Sequence, residues 1–255
     1  MRRIMLRPAV PVYALLGLII SLLIPPASFA EPIKLAAASW PPYISRDLPN
    51  HGVAVDIVTT AFKRANIETQ VVMLPSWDEV REGVEVGVYD VILGYWYSDE
   101  RARFHVYSDA FMTNQLSFIK RKGSKITYGK LSDLEGLMIA TVRNYAYDEE
   151  FETYPGIYQI KNHHVIQALL ALTEGRADLA LGDSRVIHHE LKSYMPSKLN
   201  EIEILPKPLT EKGLRITASL YNKNGQTIID TFNQQITEMK KDGTLASIVN
   251  AHNPQ

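Results

Sequence analysis

A chain of 255 residues with 27 Lys and Arg against 28 Asp and Glu, and no cysteine, is restricted in its chemistry. Disulfide frameworks and thiolate catalysis are excluded, and a formal charge of −1 argues against a nucleic-acid or anionic-membrane role. The length suits one large domain or two lobes of about 100 residues each, enough to bury a core without disulfides.

Residues 1–30 read as a secretory signal peptide. Arg2, Arg3 and Arg7 form a positive start, and an apolar run follows from Val10 to Ile24. Ser28-Phe29-Ala30 then puts small residues at the two positions that cleavage requires. The run is shorter than the roughly 20 residues that span a bilayer, and two prolines close it. The mature chain is expected to start near Glu31 and to be periplasmic, with 24 basic against 28 acidic side chains.

Ile33 to Ala38 is an apolar strand. Trp40-Pro41-Pro42-Tyr43 cannot be helical, because each proline fixes φ and restrains the residue before it. An exposed aromatic loop here is either a ligand wall or packing on the lobe. Val55, Val58, Ala61, Phe62 and Ala65 have helical spacing. Gln70 to Leu74 reads as a strand, and Ser76 caps a helix beginning at Trp77, with Val80, Val84 and Val86 on its apolar face. A buried strand, Val91-Ile92-Leu93, breaks at Gly94 and presents Tyr95, Trp96, Tyr97 and Ser98. Ser98 caps a short turn, Asp99 to Arg103, whose acidic start suits a helix N-terminus. The order β-α-β-α-β predicts a parallel sheet with right-handed crossovers.

Leu116 to Lys120 is a strand, and the polar break Arg121 to Lys125 is where the chain is expected to cross to a second lobe. There, strands are predicted at Met138–Val142, Tyr158–Lys161 and Leu179–Gly182, with Asp183 at the end of the last. Asp148 caps one helix, and Val165 to Leu172 is an almost wholly apolar second. Two short strands, Ile202–Leu205 and Thr217–Tyr221, flank a polar stretch and bring the chain back. Ile229, Phe232, Ile236 and Met239 mark an amphipathic helix that stops at Gly243.

Several of these stretches carry a resemblance. Gly94-Tyr95-Trp96-Tyr97-Ser98-Asp99-Glu100-Arg101 and Val106-Tyr107-Ser108-Asp109-Ala110-Phe111 resemble the signature of bacterial extracellular solute-binding proteins of family 3. Trp40-Pro41-Pro42-Tyr43, Gly52 to Ile57, the turn Asp133-Leu134-Glu135-Gly136 and Ala177 to Asp183 are similar to further family motifs. Three departures stand out: Trp96 replaces a small hydroxyl residue, Ala110 replaces the usual proline, and Arg143 to Tyr147 replaces a Gly-Thr-Gly-like loop. The resemblance implies an α/β fold of two Rossmann-like lobes joined by two crossover strands. Lobe 1 is expected over 31–120 and 214–255, and lobe 2 over 121–213.

The resemblance also implies a periplasmic binding protein that closes on an amino acid or similar solute and passes it to a membrane permease. Arg101 is then expected to grip the ligand carboxylate and Asp183 its ammonium, the guanidinium fork matching a carboxylate with two parallel hydrogen bonds. From the residues alone, Arg101 is equally a solvated helix start and Asp183 a helix N-cap. Both side chains are expected to face an open, hydrated cleft. Tyr43, Trp77, Trp96 and Tyr145 are candidate walls, and Ser98 a candidate polar contact. Arg143 either adds a second anion contact or pairs with Asp148 or Glu149.

A monomer without cofactor, metal or nucleic-acid partner is expected. His163-His164 and His188-His189-Glu190 are adjacent in sequence, which does not aim them at one metal ion. Two alternatives remain open. One is a sensing module that presents its closed form to a membrane receptor. The other is a cyclohexadienyl-dehydratase-like enzyme on the same scaffold, with Asp183 as its acid.

Overall fold

A computed structural model describes residues 31–252, so the signal peptide expected at 1–30 lies outside the described residues. The described chain builds one mixed sheet with helices against it. Its first part runs β1 (Ile33–Ala38), α1 (Val53–Arg64), β2 (Thr69–Leu74), α2 (Trp77–Glu85), β3 (Val91–Trp96), α3 (Asp99–Ala102) and β4 (His105–Tyr107). Next come β5 (Met112–Arg121), β6 (Met138–Val142), α4 (Glu149–Thr153), β7 (Tyr158–Asn162), α5 (Val165–Thr173), β8 (Leu179–Asp183) and α6 (Ser184–Tyr194). The chain finishes with β9 (Ile202–Ser219), α7 (Gly225–Lys241) and α8 (Thr244–Ala251).

The strand order is β2-β1-β3-β9-β5-β8-β6-β7, with β4 beside β9. β1 pairs in parallel with β2 and β3, and β6 pairs in parallel with β7 and β8, so each half has the parallel β-α-β core that the sequence pattern predicts. The two central strands, β5 and β9, run antiparallel to each other and belong to both halves. This is the two-lobed α/β arrangement, with two crossover strands as the connection.

β9 differs from its expectation. The sequence suggests two short strands flanking a polar stretch, but the chain forms one strand of 18 residues. Pro206 and Pro208 fit because the β5–β9 register slips beside Ser117, where an irregular ladder spares donors that proline lacks. β5 is likewise longer than its apolar segment, reaching back to Met112. Val86 lies beyond the end of α2 and is exposed rather than on its apolar face.

In the first lobe, Phe62 of α1, Phe232 of α7 and Phe111 stack in a chain with centroids 5.8 Å apart at each step. Each such buried ring contributes roughly 1.5–3 kcal/mol. The apolar face read from the sequence of α7 is the buried one, from Ile229 to Met239. Gly243 ends that helix at φ +82°, and α8, which the sequence reading does not contain, follows directly. His252 after α8 ties back to Asp56 of α1 at 2.8 Å.

Candidate functional site

The segment after β1 turns sharply, Trp40 bridging to Ile44. Gly52 makes this possible: at φ +100°, an added Cβ would lie 2.4 Å from the Tyr43 carbonyl oxygen. Trp40 and Tyr43 are therefore buried, at 8% and 0% exposure, instead of forming an exposed loop. Their rings lie 4.5 Å apart.

β3 does not break at Gly94, as its sequence suggests. The glycine takes φ +84° within a bulge facing β9, and the strand continues to Trp96. An added Cβ would sit 3.1 Å from Ile44 Cδ1. The bulge re-aims Tyr95 and Trp96. Beyond it Ser98 accepts from the Arg101 amide at 3.4 Å, capping α3.

Arg101 then turns back over its own strand. Its guanidinium lies 4.0 Å from the centre of the Tyr95 ring and donates to the Trp96 carbonyl at 2.9 Å. A second nitrogen donates across to the Asn144 carbonyl of the other lobe at 2.7 Å. Two of its five donors are thus engaged with backbone and three are left for other partners.

Asp183 ends β8 and is 1% exposed, not open to a hydrated cleft. Its Oδ1 accepts from the Arg185 and Val186 amides at 3.0 and 2.9 Å, capping α6. The same oxygen accepts from the Tyr43 hydroxyl at 3.0 Å. Oδ2 accepts from Asn114 Nδ2 at 3.0 Å. Burial pushes the carboxyl above its usual range, and these four donors oppose that rise. The same burial, reinforced by the Asp183 charge, raises the Tyr43 phenol strongly.

Asn114 is fully buried, and sequence reasoning did not single it out. Its Oδ1 accepts from Trp96 Nε1 at 3.0 Å, so a single amide connects β3 of lobe 1 to β8 of lobe 2. The available signal was alternation: in Met112 to Leu116 the even positions are buried, and Asn114 falls among them.

Tyr145 approaches from the loop after β6. Its ring centroid lies 4.9 Å from that of Trp96 and 6.3 Å from that of Trp40, both edge-on. Its hydroxyl accepts from Trp40 Nε1 at 2.8 Å. Asn144 at φ +63° forms the turn that presents it. Tyr43, Trp96, Arg101, Tyr145 and Asp183 therefore share one seam between the lobes. Trp77 starts α2 and packs on the core beneath that helix, outside the ring cluster. Arg143 is exposed, and among the described residues it pairs with neither Asp148 nor Glu149. Among the described residues no group of three His, Asp or Glu side chains is placed to hold a metal ion.

The sheet order and the seam define a two-lobed solute-binding fold of the type II periplasmic class, and solved structures share it. An ancestral arginine-binding protein bound to arginine superposes with a TM-score of 0.72 at 19% identity, covering 89% of this chain and 100% of that one. The holo ArgBP from T. maritima gives 0.67 at 21% identity, covering 87% and 96%. The sequence pattern of the bacterial extracellular solute-binding proteins, family 3, matches residues 33–255, and the chain belongs to that family. Among curated relatives, ABC transporter arginine-binding protein 1 of Escherichia coli (strain K12) is 24% identical over 238 residues, 90% of this chain and 93% of that one. L-cystine-binding protein TcyA of Bacillus subtilis (strain 168) is 23% identical over 202 residues, 77% and 70% of the two chains.

Proposed function

We propose that this protein is exported, loses residues 1–30, and in the periplasm captures an amino acid or similar small polar solute between its lobes. It hands the solute to an ABC-type permease and works as a monomer without catalysis. Lobe 1 comprises 31–120 and 214–255, and lobe 2 comprises 121–213. The observation that carries this reading is the placement of opposite charges, Arg101 and Asp183, along one aromatic-walled seam that both lobes build. A zwitterion needs both, one for its carboxylate and one for its ammonium.

In this reading Arg101 exchanges the Asn144 carbonyl for the ligand carboxylate, a stronger charge-assisted partner. Asp183 Oδ2, which accepts only from Asn114, takes the ammonium. Tyr43, Trp96 and Tyr145 wall the ligand, and Ser98 holds the helical turn that carries Arg101. Trp77 and Arg143 line the outer rim. The two curated relatives are an arginine-binding and an L-cystine-binding protein, which supports an amino-acid ligand.

The experiment is a thermal-shift screen of amino acids, their derivatives, dipeptides and polyamines. A ligand that binds only the folded state raises the melting temperature by mass action. An unmoved melting temperature across the whole set overturns the reading. The raised pKa of the buried Asp183 carboxyl favours one second reading, an enzyme with that carboxyl as general acid. Turnover of prephenate or arogenate tests it.

A further inference from the structure

β9 brings a second cation to the seam. Lys212 lies directly across the ladder from Asn114, and antiparallel partners point to the same face of a sheet. That face also holds Asp183, which Asn114 contacts. The Lys212 ammonium is partly buried and donates to the Tyr147 carbonyl at 3.2 Å. Tyr147 closes the same five-residue loop whose Asn144 carbonyl takes Arg101.

Two cations from different elements thus converge on the loop after β6, and each is held there by main-chain carbonyl oxygens. Among the described residues no carboxylate lies within ion-pair distance of Lys212. Asp148 and Glu152 influence it from further off, and Arg101 opposes it. Asp148 Oδ1 accepts from the Glu150 and Phe151 amides, which ties that carboxylate to the start of α4. A partly buried ammonium with one carbonyl partner is an incompletely compensated charge, and an anion is the group that completes it. Burial holds the Lys212 amine below its usual range, which is the signature of that incomplete compensation.

We infer that Lys212 is a specificity-determining residue of the seam, which selects amino acids bearing a second, side-chain carboxylate. The inference rests on the proposed reading in which Arg101 and Asp183 take the α-carboxylate and α-ammonium. Those two charges cancel against a zwitterion's own. Lys212 then leaves one positive charge, which an acidic side chain neutralises and an amide side chain of the same shape does not.

The test is isothermal titration of the purified protein with L-glutamate, L-glutamine, L-aspartate and L-asparagine, and with L-arginine and L-leucine as basic and apolar comparisons, for wild type, Lys212→Met and Lys212→Arg. A charged contact implies that at least one acid binds wild type about tenfold or more tighter than its amide. Lys212→Met should bring that ratio close to one through loss of the acid alone, and Lys212→Arg should keep it. Ligand-free melting shows whether each variant folds, and the wild-type ratio needs no variant. Equal binding of acid and amide to wild type overturns the inference and leaves the amino-acid reading standing. So does a ratio unmoved by Lys212→Met, or binding confined to neutral or basic amino acids. Failure of every amino acid to bind removes both.

Discussion

Tyr43 and Asp183 stand 140 residues apart in sequence and meet across the seam, the Tyr43 hydroxyl donating to Asp183 Oδ1 at 3.0 Å. Both residues are almost fully buried, so the bond joins the lobes without help from water. Tyr43→Phe removes the donor and keeps the ring. It should destabilise the protein by about 1–3 kcal/mol, because a buried charged acceptor loses a partner. Urea unfolding at neutral pH measures this, and an unchanged midpoint would show that the bond contributes nothing.

Asn114→Ala should cost more than Tyr43→Phe. The substitution strands the Trp96 indole N–H and takes one donor from Asp183. Two unmade hydrogen bonds in a dry site imply a loss of roughly 2–4 kcal/mol. The Asp183 carboxyl should also titrate higher in this variant, since a donor to its charged form is gone. NMR titration of the carboxyl carbon reads that shift directly.

Gly94→Ala places a side chain at φ +84° with Ile44 in its path. A loss of about 1 kcal/mol or more is expected from the left-handed backbone alone. Relief of the bulge would also displace Trp96, so near-ultraviolet dichroism from tryptophan should change together with stability. A stable variant with an unaltered spectrum would show that the bulge does not position Trp96.

His105 gives the fold an acid-sensitive element. It is 3% exposed, and burial lowers its pKa below the usual histidine value despite Glu85 at 3.5 Å. In the window between its lowered folded pKa and the unfolded value near 6.5, the unfolded chain binds more protons, so stability rises with pH. The contribution is fully present above the unfolded value and is lost as pH falls through the folded one. His105→Gln should flatten the decline in melting temperature below about pH 6.5. An identical decline in both proteins would assign the acid sensitivity elsewhere.

Local chemistry was legible in the sequence. Ser76, Ser98 and Asp148 cap the helices that their positions suggest, and the β-α-β rhythm of each lobe follows from short-range periodicity. What depends on distant pairing was not legible. Pro206 and Pro208 hid the continuity of β9, which exists because β5 supplies a partner with a slipped register. Three-residue β4 has too little apolar pattern to announce itself and forms only by lying beside β9. Asn114 and Lys212 look like ordinary polar strand residues until the β5–β9 ladder sets them face to face. Asp183 was legible as a strand-end carboxylate and as a helix cap, and it is the cap of α6. Tyr43 from the other lobe and Asn114 from β5 both reach its carboxylate, which is 1% exposed. The expectation of an open, hydrated setting failed for that reason, and Asp183→Asn is now expected to lower ligand-free stability as well as affinity for a zwitterion.

The central claim is that Arg101 holds the ligand carboxylate from lobe 1. Calorimetric titration of Arg101→Ala against wild type, with the strongest amino acid from the screen, tests it most directly. The account predicts an affinity loss of about 2–5 kcal/mol, since a buried carboxylate is left without its bidentate partner. The ligand-free protein should still fold, because the arginine's own bonds are to two backbone carbonyls at the edge of the seam. An unchanged dissociation constant in a folded Arg101→Ala protein would contradict the assignment of this seam as the binding site.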